Sequence, residues 1–221
     1  MKRTRDRVGT VAFAVAVVLL IFSVSIALPI YIRPFYYAHI EPLGLAEKTG
    51  RSAEDIRAAY DELMDYLTVP GHEFGTGSFA YSEEGRSHFA DCRVLFMLDG
   101  IVLVVSLLTV TVIGVLVRRK KMALCRPFGK HVLLCCGATV LSLVGTLAAL
   151  ISIDFDRAFD VFHYVLFPGK DNWSFDGRYD EIIYALPQRF FMNCAILIGA
   201  SILILSIGCI VYGAVKRKAR E

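Results

Sequence analysis

Two histidines bear the most usable chemistry in this sequence. His88 sits in the run Arg86-Ser87-His88-Phe89-Ala90-Asp91-Cys92-Arg93, where imidazole, carboxylate, thiol and guanidinium crowd together directly before a long apolar stretch. His163 sits in a second segment rich in carboxylates and aromatics, which also holds the only tryptophan, Trp173. Histidine titrates near neutral pH, so it can accept and release a proton within one cycle. A carboxylate on one ring nitrogen fixes the tautomer and leaves the other nitrogen free to react. Glu84 and Asp91 are the candidates beside His88, and Asp160 and Asp180 those beside His163. From spacing alone, the same pattern also fits histidines that merely hydrogen-bond at an interface.

Other chemistries find less support. Two histidines with Asp or Glu can hold zinc, but no H-E-x-x-H pattern occurs, and Cys135-Cys136 lacks zinc-site spacing. No G-x-S-x-G marks a serine nucleophile, and Gly75-Thr76-Gly77 is too short for a phosphate loop. There is no metal or cofactor signature. His39 and His72 lack a comparable set of neighbours, and His131 reads as a helix-end residue.

The elements that must position His88 and His163 are membrane helices. Four runs, 8–28, 94–117, 132–153 and 190–215, reach the ~20 apolar residues that a bilayer crossing needs. In hydrocarbon each must be a helix, because every backbone polar group has to pair internally. The expected fold is therefore an all-α membrane protein, one integral domain over 1–221. The first run offers a loose signal-peptide cleavage site at Ser25-Ile26-Ala27, but its apolar core exceeds the ~7–15 residues usual for one, so a retained anchor is expected.

The net charge of +3 hides a strong asymmetry. Lys2, Arg3, Arg5 and Arg7, then Arg118, Arg119, Lys120, Lys121, Arg126 and Lys130, then Lys216, Arg217, Lys218 and Arg220 face only Asp6 and Glu221. The loops 33–93 and 154–189 hold 10 basic and 18 acidic residues. The positive-inside rule then puts both termini and the middle loop in the cytoplasm (N-in/C-in), and the two long loops outside as an extracytoplasmic cap. The basic residues read as topology and lipid contact, with no nucleic-acid partner. Cys92 is the only cysteine on the outer side, so no disulfide is expected.

Within the first outer loop, 52–67 has helical spacing in Ile56, Ala59, Tyr60, Leu63 and Leu67 and a capping pattern in Ser52 and Asp55, and Pro70-Gly71 ends it. Its apolar face fits either the membrane surface or a lid over the bundle. Gly71, Gly75 and Gly77 read as a flexible link. On the second membrane helix, at about 100° per residue, Glu84, Asp91, Cys92, Asp99 and Ser106 all fall within about 60° of His88, whereas Arg93 is about 140° away. Asp99 within the apolar run is costly unless it faces the bundle or water; it is either an interhelical partner, a neutral acid, or the floor of a polar site. The third and fourth helices carry small residues at spacings of four and three or seven (Ala138, Ser142, Gly145, Ala149, Ser152; Ala195, Gly199, Ser206, Gly213) that suit close packing.

The order Ser82-Glu83-Glu84, His88, Asp91-Cys92-Arg93 resembles the S-E-E-x-x-x-H-x-x-D-V-[KR] element of a family of four-helix bacterial integral membrane proteins that includes the lipoprotein intramolecular transacylases. A second element is similar too: Phe162-His163, Trp173-x-Phe175, Asp180-x-Ile182-Ile183, Leu186-Pro187 and Phe190-Phe191. Cys92 departs from the pattern, which has an aliphatic residue there. The resemblance implies a substrate lipoprotein bearing diacylglyceryl on its N-terminal cysteine, and transfer of the sn-2 acyl chain to that cysteine's amino group in the bacterial cytoplasmic membrane. It also implies that His88 and His163 are the essential pair. Ester-to-amine transfer needs a base for the amine and an acid for the leaving glycerol oxygen, which two histidines can share. Arg93 and Arg178 are candidates for the oxyanion, and Trp173 for the pocket wall or an interfacial anchor. The competing expectation is a non-enzymatic membrane protein that binds a lipid or protein partner through the same outer pocket. The sequence carries no signature of oligomeric state.

Overall fold

A computed structural model describes residues 2–151 and 153–218. Among the described residues there are no strands. The helices in chain order are α1 (Lys2–Tyr31), α2 (Arg33–Ile40), α3 (Leu45–Thr49), α4 (Ala53–Thr68), α5 (Glu83–Arg118), α6 (Val132–Ile151), α7 (Phe155–Leu166), α8 (Ile182–Ala185) and α9 (Gln188–Lys218). Helices α1, α5, α6 and α9 are long and apolar enough to cross a membrane. They contain the runs 8–28, 94–117 and 190–215, and the run 132–153 as far as Ile151; Ser152 lies outside the described residues, as does Arg220 of the last basic cluster. At 36 residues, α5 is about 54 Å long, well beyond the ~30 Å of hydrocarbon. The apolar run 94–117 by itself has the length of a crossing, and the charged residues Glu83, Glu84, Arg86, Asp91 and Arg93 precede it on the same helix.

The chain gathers into two compact units, one of Met1–Ile26, Asp99–Leu150 and Leu197–Glu221, the other of Ala27–Leu98 and Ile151–Ile196. In the first, Phe13, Val17 and Ile21 of α1 meet Ile113, Val132, Val140 and Ile202 in a buried core. The small-residue faces expected on α6 and α9 are only partly the packed ones. Ala138, Ser142, Gly145 and Ala149 are exposed, and a Cβ at Gly145 or Gly199 would meet nothing. Helices α6 and α9 instead approach at Gly137, where a Cβ would stand 2.5 Å from the Ser206 carbonyl oxygen, and at Gly213, where it would stand 2.8 Å from the Leu134 backbone nitrogen. Small residues occur all round these helices, and the larger buried side chains Val132 and Val140 decide which face packs.

The second unit is built on α4. Ser52 caps it by accepting from the Asp55 N–H at 3.1 Å, and Ile56, Ala59, Tyr60, Leu63, Met64 and Leu67 are buried. This apolar face is therefore the core of the unit. Tyr36 of α2 stacks on Tyr60 with ring centres 3.8 Å apart, and its hydroxyl donates to the Ala185 carbonyl. Arg33 pairs with Asp61 and Asp65.

The glycine segment after α4 is pinned, in contrast to the flexible link expected. Gly77 has φ +58° and donates its N–H to Glu62, Thr76 is buried and donates to the Phe79 carbonyl, and a Cβ at Gly75 would collide with the Glu62 side chain. These glycines serve close approach and left-handed backbone, which composition alone does not separate from mobility.

Candidate active site

The site is assembled in the second unit from the start of α5, from α7 and from the loop between α7 and α8. Helix α5 begins at Glu83 because Ser82 caps it: the Ser82 Oγ accepts from the Gly85 N–H at 2.9 Å. Asp180, buried in the segment between α7 and α8, holds that cap by accepting from the Ser82 N–H at 2.8 Å and from its Oγ at 2.9 Å. Glu181 adds a second tie through the Ala80 N–H and Arg51. Replacing Asp180 with alanine leaves the half-buried Ser82 N–H and hydroxyl without their acceptor. It is expected to destabilise this unit by about 2–3 kcal/mol, read as faster hydrogen exchange in the first turns of α5.

Helix α7 was not foreseen as an element of the second loop. Asp154 caps it by accepting from the Arg157 N–H at 3.0 Å, and it turns His163 inward, where the residue is buried. Its opposite face leaves Val161, Phe162, Tyr164 and Val165 exposed.

These two elements bring His88 and His163 together, with ring centres 5.9 Å apart and both residues buried. Trp173 stacks on His163 at 4.8 Å with an interplanar angle of 24°. Phe167 touches both imidazoles, and Phe175 lies edge-on to His88 at 5.4 Å. Aromatic walls of this kind exclude water while leaving the ring nitrogens as the polar atoms.

The nitrogens differ. The His163 Nδ1–H donates to the Phe159 carbonyl at 2.7 Å, so the neutral ring keeps its lone pair on Nε2. His88 Nε2 faces the Cys92 Sγ at 3.4 Å, one helical turn along α5, and His88 Nδ1 is buried without a partner. Burial, and next the nearby His163, push the His88 pKa down to about 4. Burial also pushes the Cys92 thiol up to about 12, so it is an S–H donor and not a thiolate.

His88 is therefore a neutral imidazole at neutral pH. Its NMR titration is expected to have a midpoint near 4 instead of 6.5. The unfolded chain binds this proton below pH 6.5 and the folded one only near pH 4, so through this group stability falls as the pH is lowered across that window.

The other expected site residues divide clearly. Asp91 does not reach a histidine nitrogen. Its oxygens accept from Lys170 Nζ at 2.5 Å and from Asn172 Nδ2 at 3.1 Å, and Asn172 also donates to Ser87. Burial works to raise the Asp91 pKa, but the Lys170 and Asn172 bonds outweigh it and hold it low. This latch fixes the loop that carries Trp173, whose Nε1–H donates to the Lys170 carbonyl.

Six expectations are corrected by placement. Arg93 donates to the Val69 and His72 carbonyls and lies over the Tyr66 ring, bracing the end of α4; it points away from the histidines, as its angle on α5 requires. Arg178 is exposed and bound to Asp176, whose carboxyl it pulls down to about 2. Asp180 holds the Ser82 cap of α5 and does not orient His163, and Asp160 is exposed. Glu84 is exposed and forms no ion pair among the described residues. Asp99 belongs to the other unit, with Oδ2 buried and unpartnered.

Lys170, Asn172 and Phe159 were missed. The polar triplet Lys170-Asp171-Asn172 after Pro168-Gly169 was the available signal for the latch. The spacing of Phe159 and His163, four residues apart, was the signal for α7.

A model of the family described as lipoprotein intramolecular transacylase Lit matches residues 11–191. The fold is similar to a solved in meso structure of the membrane-integral lipoprotein intramolecular transacylase Lit from Bacillus cereus, with a TM-score of 0.85 and 27% identity, covering 98% of each chain. A structure of the same protein with a histidine replaced by arginine is similar at TM-score 0.77 and 26% identity, over 99% of this chain and 96% of that one. One with a histidine replaced by alanine is similar at 0.77 and 27%, over 99% and 97%. No curated protein matches.

Proposed function

The chain belongs to the lipoprotein intramolecular transacylase family, and we propose that it moves the sn-2 acyl chain of a diacylglyceryl-cysteine to that cysteine's own α-amino group, with His88 and His163 as its reaction centre. It is a multi-pass membrane enzyme of the acyl-transferring class. The observation that carries the residue assignment is the buried pair of imidazoles, 5.9 Å apart, with differently committed nitrogens.

The two rings divide the work. His163 Nε2 takes a proton from the attacking amine, the N–C bond forms at the ester carbonyl, and the C–O bond to glycerol breaks. The imidazolium of His163 then returns the proton to the departing glyceryl oxygen, so the net movement is one acyl group from O to N and one proton from N to O. The Cys92 S–H donates to His88 Nε2, which leaves Nδ1–H to stabilise the oxyanion; a neutral donor is what a pKa near 4 provides. Donor and acceptor share one molecule, so most of the barrier reduction comes from holding them in contact. Trp173, Phe167 and Phe175 wall the reacting head, while the substrate's acyl chains remain in lipid.

The charge asymmetry supports N-in and C-in orientation in the bacterial cytoplasmic membrane, with the histidines at the extracytoplasmic face. A C-terminal phosphatase fusion is expected to be inactive and a fluorescent fusion bright; the reverse would overturn the orientation. The reaction is tested with two synthetic lipopeptides of different mass, one carrying an isotope-labelled sn-2 chain. The label is expected as an amide on the peptide that brought it. Label crossing to the other peptide, or remaining on glycerol while the sn-1 chain moves, overturns the proposal.

A further inference from the structure

A second site lies in the same unit, away from the histidines. A cavity of about 450 Å³ is lined by His39, Leu43, Lys48, Arg189, Met192 and Asn193, among others, and none of the described residues lining it is a carboxylate. Lys48 and Arg189 donate no side-chain hydrogen bond and form no ion pair among the described residues. That sets them apart from Arg33, Arg51, Lys170 and Arg178 of this unit, each of which holds a carboxylate. The His39 ring is fixed by its Nδ1–H bond to the Phe35 carbonyl and by contacts with Phe35 and Phe190. From here His163 is reached through the successive ring contacts of Phe190, Phe191 and Phe159.

The depth of this cavity is set by α9. Arg189 immediately precedes the apolar run 190–215, and Met192 and Asn193 lie in its first turn. With 190–215 read as the membrane span, the polar end of the cavity falls at headgroup level, and the half-buried Leu43 and Met192 supply an apolar wall. Two uncompensated cations beside a buried-side apolar wall, at the start of a membrane span, match an amphipathic anion.

We propose that this cavity binds the phosphodiester of an anionic membrane phospholipid, with Arg189 and Lys48 on the phosphate oxygens, Asn193 on the glyceryl region and Leu43 and Met192 along the acyl stem. This is independent of the reaction assigned above.

The test uses the full chain in neutral detergent, with native mass spectrometry and thermal melting in the presence of a short-chain phosphatidylglycerol, the matching phosphatidylcholine, or inorganic phosphate. One phosphatidylglycerol is expected to bind saturably, at least tenfold more tightly than phosphatidylcholine or inorganic phosphate, and to raise the melting temperature. The K48Q/R189Q variant is expected to weaken it at least tenfold. Both side chains are exposed and unpaired, so the unliganded melting temperature should not move. The R126Q/K130Q variant removes the same charge from the middle loop and is expected to bind as the native chain does. Unchanged binding by K48Q/R189Q, or an equal loss in R126Q/K130Q, overturns the site. Phosphatidylcholine binding as tightly as phosphatidylglycerol overturns the anion requirement, and inorganic phosphate binding as tightly as the lipid overturns the lipid assignment.

Discussion

Replacing His163 with phenylalanine is expected to slow acyl transfer by about 10²–10⁴-fold, the usual contribution of a positioned base. Phenylalanine keeps an aromatic ring for Trp173 to stack on and removes both nitrogens, so the wall of the site survives while the lone pair on Nε2 is lost. The one structural bond given up is that to the Phe159 carbonyl, within the same helix, so the melting temperature should fall by only a few degrees. Initial rates of lyso-form product on a diacylated lipopeptide check this. Near-native activity in His163→Phe would mean that ring packing, and not proton transfer, is what His163 supplies.

The second large effect is at His88. Its Nδ1 is buried with no protein partner, the condition in which a group is held ready for a ligand atom. His88→Phe keeps the contacts with Phe167 and Phe175 and deletes the donor. Loss of one oxyanion donor costs about 10²–10³-fold, expected in kcat with little change in KM, because the bond strengthens only as charge develops. A rise in KM at unchanged kcat would assign His88 to ground-state binding instead. Because His88 is neutral down to about pH 4, lowering the pH from 7 to 6 should not remove activity by charging this residue.

Much of this architecture could be read in the residues. The apolar runs set the four long helices, and the spacing of Ile56, Ala59, Tyr60, Leu63 and Leu67 set α4 and its buried face. The two histidine-bearing loops were expected on one side of the membrane from the charge pattern, and the rings of His88 and His163 do lie 5.9 Å apart. What stayed hidden depends on long-range partners. Asp180 could be placed near the site by its motif, but only the fold shows that its carboxylate holds Ser82 across 98 residues of chain. Arg93 and Arg178 were equally plausible oxyanion donors from charge alone, and each turns out to be committed elsewhere, to backbone carbonyls and to Asp176. Asp91 was expected to orient His88, but the unforeseen Lys170 and Asn172 claim its oxygens. Helix α7 was obscured because its exposed face is apolar and its buried face carries a histidine, the reverse of the usual amphipathic signal.

The central claim is that His88 and His163 act on one substrate at one centre. The direct measurement compares native, His88→Phe, His163→Phe and doubly substituted protein, reconstituted in lipid, in single turnovers on the same diacylated lipopeptide, with the N-acyl lyso-form product read by mass spectrometry. Groups that act as a unit are strongly non-additive. Each single variant is predicted to lose at least about 100-fold, and the double variant to fall no more than about tenfold below the weaker single one. Lyso-form product appearing at the native rate in either single variant, or losses that multiply in the double variant, would contradict a shared centre.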